Sequence, residues 1–507
     1  MRPSSLLLST AALTIGPLMP GAPLGAPPQS APVAVHDATQ MAITGPSIVA
    51  VGETVRFRGL GLDERWRRLP PWKNRRSLLG PVEISATDGT AQFPSHVQIH
   101  AEDDGHFSFP VTFHSPGIHY VRGADPMRPD VRGESNPVWV MGGTPRLRLY
   151  WGDLHGHTCF SDGQGSPESF LAHARDVSHL DFVAITDHAD EHAMRGSLVP
   201  WEWAEILDQV TEASQENQFL AFAGFEWTSN EWGHRHVVYR DPWGNYLSNA
   251  TDDYDEPAEL YAALADREGE VLILPHHSNH GHRLEAHHRA LEPLVEVYSR
   301  HGASETCPHP IWPGPCSDWS EESASYVDML MAGRRIGAIG SGDSHDGFPG
   351  RILGRLPDSD GCDGQNGRVP SLPRTGGLAG VASPRLTAPD LFDALTSRAT
   401  VATSGPRFVL LLEINGAPMG REIESDGPPH IRFTAAGRRN LTAEIVRDGE
   451  VIHRVDPSGR IVRANFIDES FSPPPGAASH YYLRVIQEED REWGWTSPVW
   501  VKRPTDN

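Results

Sequence analysis

Cysteine is scarce in this chain: four residues among 507, at positions 159, 307, 316 and 362, with no Cys-x-x-Cys spacing. That removes the paired-cysteine zinc motif. Free, partly buried thiols are the simplest reading, with a Cys307–Cys316 disulfide the alternative for an exported chain. Basic charge is also short, since 43 Lys and Arg face 66 Asp and Glu, for a net charge of −23 with no basic block. Nucleic acid and anionic membranes are poor partners for such a surface. An anionic substrate would need local positive charge at its site, which metal ions can supply. Outside residues 1–40, no run is long and apolar enough to span a bilayer, so no membrane insertion is expected.

Glycine and proline are plentiful (49 and 44 residues), and apolar content is 38%. That is the profile of a soluble, loop-rich globular protein. The length calls for two or three domains. Residues 1–40 carry Arg2, an apolar run from Leu6 to Met19 and a Pro/Ala/Gly tract to about Val35. They read as an export signal for the periplasm or exterior, against a disordered tail on a cytoplasmic protein. Residues 41–146 alternate apolar and polar positions between turn signals, which predicts a β-sandwich. From 147 to 405, short apolar strands alternate with helical stretches at Ser166–His179, Trp201–Asn217 and Glu256–Glu268. This predicts a mainly parallel α/β domain. Residues 406–507 return to β patterning and predict a second sandwich.

Histidine carries the chemistry. Of 26 in the chain, 17 fall between residues 151 and 350. His155 and His157 follow the apolar run Leu147–Leu154, and residues i and i+2 of a strand point to the same side. The turn beyond, with Ser161, Gly163 and Gly165, can bring in the Asp162 carboxylate. His188, Glu226, His276 with His277, His301, and Asp343 with His345 then stand at the ends of successive predicted strands. His234 and His236 bracket the start of another. Packing histidines are buried singly, and repetition at every strand end has no packing rationale. Imidazoles and carboxylates without thiolate suit zinc, manganese or iron and do not choose between them. So many ligands exceed the needs of one ion, and Glu226 is placed to bridge two.

Taken together, Asp153-Leu-His-Gly-His-Thr, Ser-Asp-Gly, Ile-Thr-Asp-His, Gly-Phe-Glu, Pro-His and Gly-Asp-Ser-His resemble the PHP (polymerase and histidinol phosphatase) domain. Gly-Phe-Glu-Trp-Thr, Gly-His-Arg and Glu-Val-Tyr-Ser-Arg-His-Gly resemble its branch known as DUF3604. The resemblance implies a distorted (β/α)7 barrel over about residues 148–405, holding two or three divalent ions. It implies ligand roles for His155, His157, Asp162, His188, Glu226, His276, His301, Asp343 and His345. His234 and His236 compete for one further position: Gly-His-Arg favours His234, and adjacency to the strand favours His236.

The expected activity is hydrolysis of a small-molecule phosphate ester. Two close ions lower the pKa of a bridging water toward neutrality and stabilise charge on the reacting oxygens. His234 or His277 at the rim would protonate the leaving oxygen. Arg235 and Arg300 would hold non-bridging oxygens, pairing with one of the many acids being their structural alternative. Two rival readings keep the metals. One is an amidohydrolase-type C–N or C–O hydrolase, and the other a non-catalytic, metal-stabilised binding protein.

Overall fold

The computed structural model describes residues 37–63, 77–190, 198–229, 231–248, 254–276, 283–307, 309, 324–350, 376–457 and 459–505. The expected export signal and His277 lie outside them. The N-terminal region consists of short strands. Gln40–Thr44, Thr54–Leu62 and His106–Thr112 make one antiparallel sheet, and four strands between Gly80 and Glu134 make another. Alternation along Thr54–Leu62 buries Val55 and Phe57 and exposes Thr54 and Arg56. Phe57 stacks on Phe109 at 5.9 Å inside the core so formed.

The strands that position the site are β1 (Arg148–Asp153), β2 (Phe182–His188), β3 (Leu220–Trp227), β4 (His234–Tyr239), β5 (Val271–His276), β6 (Leu294–Ser299), β7 (Gly337–Gly340), β8 (Leu378–Ser383) and β9 (Thr400–Thr403). Helices α1 (Pro167–Ala172), α2 (Pro200–Ala213) and α3 (Pro257–Leu264) fall inside or within a residue of the predicted helical stretches, and α4 (Tyr326–Met331) and α5 (Ala388–Thr396) join them. Local chemistry starts these helices. Ser166 caps α1 by accepting from the Ser169 amide ahead of Pro167, and Thr387 does the same for α5 from Asp390; both satisfy an orphan helix-end donor. Along α2, Trp203, Ile206 and Val210 form the buried stripe, as helical spacing requires.

Pairing departs from the expected mainly parallel order. β1, β2 and β3 are parallel neighbours, but β4 runs antiparallel to both β3 and β5. The cause is the connection: only residues 228–233 separate β3 from β4, too few for a crossover back to the start of the sheet. The closed (β/α)7 barrel is not what the hydrogen bonding describes either. The path β5-β4-β3-β2-β1-β8-β9 continues into Glu492–Thr496, Ala478–Gln487, Leu441–Arg447 and Glu450–Val455. β6 and β7 pair in parallel in a separate sheet. β9 uses its free edge on Glu492–Thr496 and meets β7 through a side chain, Thr400 Oγ1 donating to the Ala338 carbonyl (2.8 Å). Ser497, next after Glu492–Thr496, accepts at Oγ from the Ala338 amide (3.0 Å). Among the described residues the sheets therefore stay open.

Cys159 is exposed and outside any disulfide, whereas Cys307 is disulfide-bonded, which corrects the free-thiol reading there. Cys316 and Cys362 are outside the described residues. No helix among the described residues is long and apolar enough to cross a membrane.

Candidate metal centre

Sheet register builds the first part of the site. His188 on β2 lies opposite Glu226 on β3, and Glu226 lies opposite His236 on β4. Directly opposed residues share a face, so a carboxylate is flanked by two imidazoles in one row. His234, two residues back on the same face of β4, is opposite His276 at the end of β5. Beyond the end of β1, residues 155–157 stay extended between β2 and the turn after β7. His157 donates its amide to the Ser344 carbonyl (2.8 Å), Asp343 to that of His155 (2.9 Å) and Thr186 to that of Gly156 (2.9 Å). Asp343 adopts a left-handed φ of 50°, an uncommon conformation for a residue other than glycine. It aims the carboxylate inward. Asp153 staples that turn to β1 by accepting from the amides of Gly342 (2.7 Å) and Gly350 (2.9 Å). A Cβ on Gly342 would stand 2.4 Å from Asp153 Oδ2, so glycine is required there.

Nine side chains converge in three overlapping groups. His155, Glu226, His236 and His276 form one; His157, Asp162, His188 and His345 the second; His155, His157 and Asp343 the third. Within each, one donor atom per residue lies within 4.8 Å of the others. His155 Nε2 is 3.2 Å from His157 Nε2. Both nitrogens are 3.3 Å from Glu226 Oε2 and 3.5 Å from Asp343 Oδ1. Ligands bound at about 2.1 Å around a tetrahedral ion stand roughly 3.4 Å apart, so this spacing fits a divalent cation. The other oxygen of Glu226, Oε1, faces His276 Nε2 (3.1 Å) and His234 Nδ1 (2.9 Å). One carboxylate thus serves two sets of donors. Asp162 Oδ1 sits 3.2 Å from His345 Nε2 and 3.6 Å from His188 Nε2.

Electrostatics matches the same fit. Burial opposes ionisation of Glu226, yet His188, His276, His155 and His157 hold its carboxyl well below the usual range. Burial, with His155 and His276 nearby, pushes His236 well below its ordinary value, and burial takes His276 down to about 3. Both shifts favour the neutral imidazole, the form that donates a lone pair to a metal. Both ring nitrogens of His236 are buried without a hydrogen-bond partner, a costly state for polar atoms with nothing to bind. Elsewhere the acids outweigh burial: Asp343, Glu296 and Glu226 raise His155 well above its ordinary value, Glu226, Asp190 and Asp162 raise His188 to about 10, and Asp162 with Asp343 raises His345 to about 9. The donor set is the hard-to-borderline mix that divalent zinc, manganese or iron takes.

The remaining expected residues divide. His301 stands outside the three groups and reaches the site through Asp343, its Nε2 2.8 Å from Oδ2. Of the two competitors on β4, His236 joins a group and His234 sits at the partly exposed rim. Arg300 lies close by, Nη1 donating to the Asp343 carbonyl (3.4 Å). Arg235 does not: alternation turns it to the opposite face of β4, where its Nε meets Glu292 Oε1 at 3.0 Å with both side chains fully buried. The anion-holding role expected of it is corrected to a structural ion pair. Glu296 was overlooked in the sequence. Its Oε2 lies 3.0 Å from His155 Nδ1, and the signal was there, a single acid inside the otherwise uncharged and fully buried strand β6. Thr228 and Asp190 similarly flank His188 Nδ1, at 3.0 and 3.3 Å. Such partners fix the tautomer of a ligand histidine.

Residues 191–314 match the family model described as a protein of unknown function, DUF3604. An uncharacterised protein of Chlamydia pneumoniae is 28% identical over 375 residues, covering 70% of this chain and 57% of that protein. Another, from Chlamydia trachomatis, is 26% identical over 413 residues, covering 77% and 63%. The chain therefore spans about three fifths of the length of these curated relatives. Among solved structures, it is similar to a two-domain protein of Bacteroides vulgatus containing a predicted PHP-like metal-dependent phosphoesterase. That match has 12% identity, covers 69% of this chain and 95% of that one, and has a TM-score of 0.34. PhoD matches over 40% of this chain and 42% of its own at 9% identity, with a TM-score of 0.18. Scores of that size do not by themselves carry a fold or a chemistry across.

Proposed function

We propose that the protein is a metal-dependent hydrolase of small phosphate esters, built on a PHP-type site of the DUF3604-like branch. The observation that carries this reading is the convergence of six histidines, two aspartates and Glu226 in three groups, the third sharing His155 with the first and His157 with the second. A closed structural site needs one set of about four ligands, and shared ligands between adjacent sets are the arrangement for two or three ions working together. Divalent ions held there would supply Lewis acidity toward a phosphoryl oxygen and acidify water.

The chain's own residues do the rest. Glu226 and Asp343 hold the donor sets at fixed spacing, while Asp153 fixes the turn that carries Asp343. His234, partly exposed and 2.9 Å from Glu226, is the group at the rim for protonating the leaving oxygen. Arg300 is the nearby guanidinium for a non-bridging oxygen. Export belongs to the proposal too, and the disulfide at Cys307 is in keeping with an oxidising compartment.

Elemental analysis of the purified full-length protein, coupled to a panel of phosphomonoesters, phosphodiesters, amides and lactones, tests it. Two or more ions per chain with turnover of phosphate esters is the expected result. Full activity after metal stripping overturns the reading. Turnover of amides or lactones alone replaces it with an amidohydrolase-type reaction.

A further inference from the structure

At the other end of the strands from the metal centre, three arginines gather around one carboxylate. Arg289 Nη2 is 2.8 Å from Glu422 Oε1, Arg335 Nε 3.1 Å from Oε2, and Arg398 Nη2 3.6 Å from Oε1. Arg421 adds a fourth positive charge that acts on Arg398. Arg289 precedes β6, Arg335 precedes β7 and Arg398 precedes β9 in the chain. His301 and Asp343 leave the opposite ends of β6 and β7, which run parallel. A six-residue strand sets the two locations roughly 20 Å apart.

Arg289 and Arg398 line an open cavity of ≈ 470 Å³ together with His288, Thr396 and Glu268. Among the described residues lining it, Glu268 is the one acid, 4.0 Å from His288 Nε2, against two guanidiniums, in a chain whose net charge is −23. Like charges held this close disfavour one another unless an anion compensates them. Burial lowers the proton affinity of Arg398 most; Glu422 beside it raises that affinity, and Arg289, Arg335 and Arg421 lower it again. The Arg398 guanidinium and that of Arg335 lie over the Trp500 ring, at 5.2 and 5.6 Å. Stacking holds these forks in place before any ligand arrives.

We propose that this cavity is a second anion site, taking a phosphate-class oxyanion, free or carried by a small metabolite. Arg289 presents the exposed fork, matched to the planar, bidentate recognition that guanidinium gives phosphate oxygens. Arg398, whose Nε and Nη2 donate to the Gly420 carbonyl (3.3 and 3.2 Å), adds fixed positive charge. Glu422 occupies the arginines in the absence of the anion and competes with it. The volume falls within the range of small-molecule sites and exceeds what a bare ion requires.

Calorimetric titration of the full-length protein with pyrophosphate, and separately with glucose 6-phosphate, tests this. Each titration is repeated in an Asp343→Asn background, so that oxyanion held at the metal centre is recognised separately. Arg289→Ala alters a side chain that is 68% exposed and leaves the fold intact. It is expected to weaken the metal-independent binding tenfold or more. Glu422→Gln removes the competing carboxylate and is expected to tighten the same binding. Binding of either probe with that pattern supports the site. No metal-independent binding of either probe overturns it. So does a Glu422→Gln protein that melts earlier without binding more tightly, since the arginines would then be a clamp for Glu422.

Discussion

His155 hands its two ring nitrogens to different partners: Nδ1 lies 3.0 Å from Glu296 Oε2, and Nε2 faces Glu226 at 3.3 Å. Glu296 comes from β6, 141 positions along the chain, and it fixes which nitrogen of His155 points at the donor cluster. Glu296→Gln is expected to retain the fold and lower metal affinity by about 10–100-fold, the range for loss of a partner behind a ligand histidine. Competition against a coloured chelator measures it. Unchanged affinity would show that packing alone orients the ring.

Metal removal should register as stability. The three donor groups bury imidazoles and carboxylates against one another, and ions that bind the folded chain alone stabilise it by mass action. The expected gain is about 2.7 kcal/mol at a metal concentration a hundredfold above Kd. Stripping the ions should lower Tm, and restoring zinc or manganese in steps should raise it again in a concentration-dependent way, read by calorimetry. A Tm indifferent to metal would contradict the assignment.

Arg235 offers a contrast with the site. Its partner Glu292 also accepts from Tyr261 (2.6 Å) and lies 2.9 Å from His287 Nδ1. Arg235→Ala leaves that carboxylate buried beside a cavity, so destabilisation of about 3–5 kcal/mol is expected. Metal content per folded molecule should be unchanged. Denaturant melts with elemental analysis of the folded fraction check both halves of the statement.

Glu305 ties the segment after His301 to the C-terminal strands. It accepts from Tyr482 (2.6 Å), Trp495 Nε1 (2.8 Å) and Arg484 (2.9 Å). Burial opposes its charge, but His309, Arg484 and Tyr482 bring the carboxyl down to about 2 from an ordinary 4.5. A depressed carboxyl stabilises the fold above its unfolded value, and that contribution is lost as pH falls from about 4.5 to about 2. The shift corresponds to about 3 kcal/mol. Glu305→Gln is expected to be less stable at neutral pH by that order, with the gap from the parent closing over this window. Tm against pH for both proteins gives the comparison.

Helices α1, α2 and α3 and strands β2 to β7 were legible because their signals are local: buried stripes, capping residues and apolar runs ending in ligand types. The direction of β4 was less so. It depended on the short connection at residues 228–233, and alternation patterns are the same in either direction. The union of β9 with Glu492–Thr496 was not legible, because pairing between such distant segments leaves no local trace.

The sequence by itself determined which residue types end the strands. His155, His157, His188, Glu226, His276 and Asp343 follow apolar runs whose burial is dictated by composition. Only the tertiary structure decided which of them share a site. One residue of register or alternation moves a side chain to the other face of a strand, and that is what separates His236, beside Glu226, from Arg235, paired with Glu292. It also took long-range packing to bring Asp343 and Glu296 to His155, since nothing in the neighbourhood of any one of them encodes the other two.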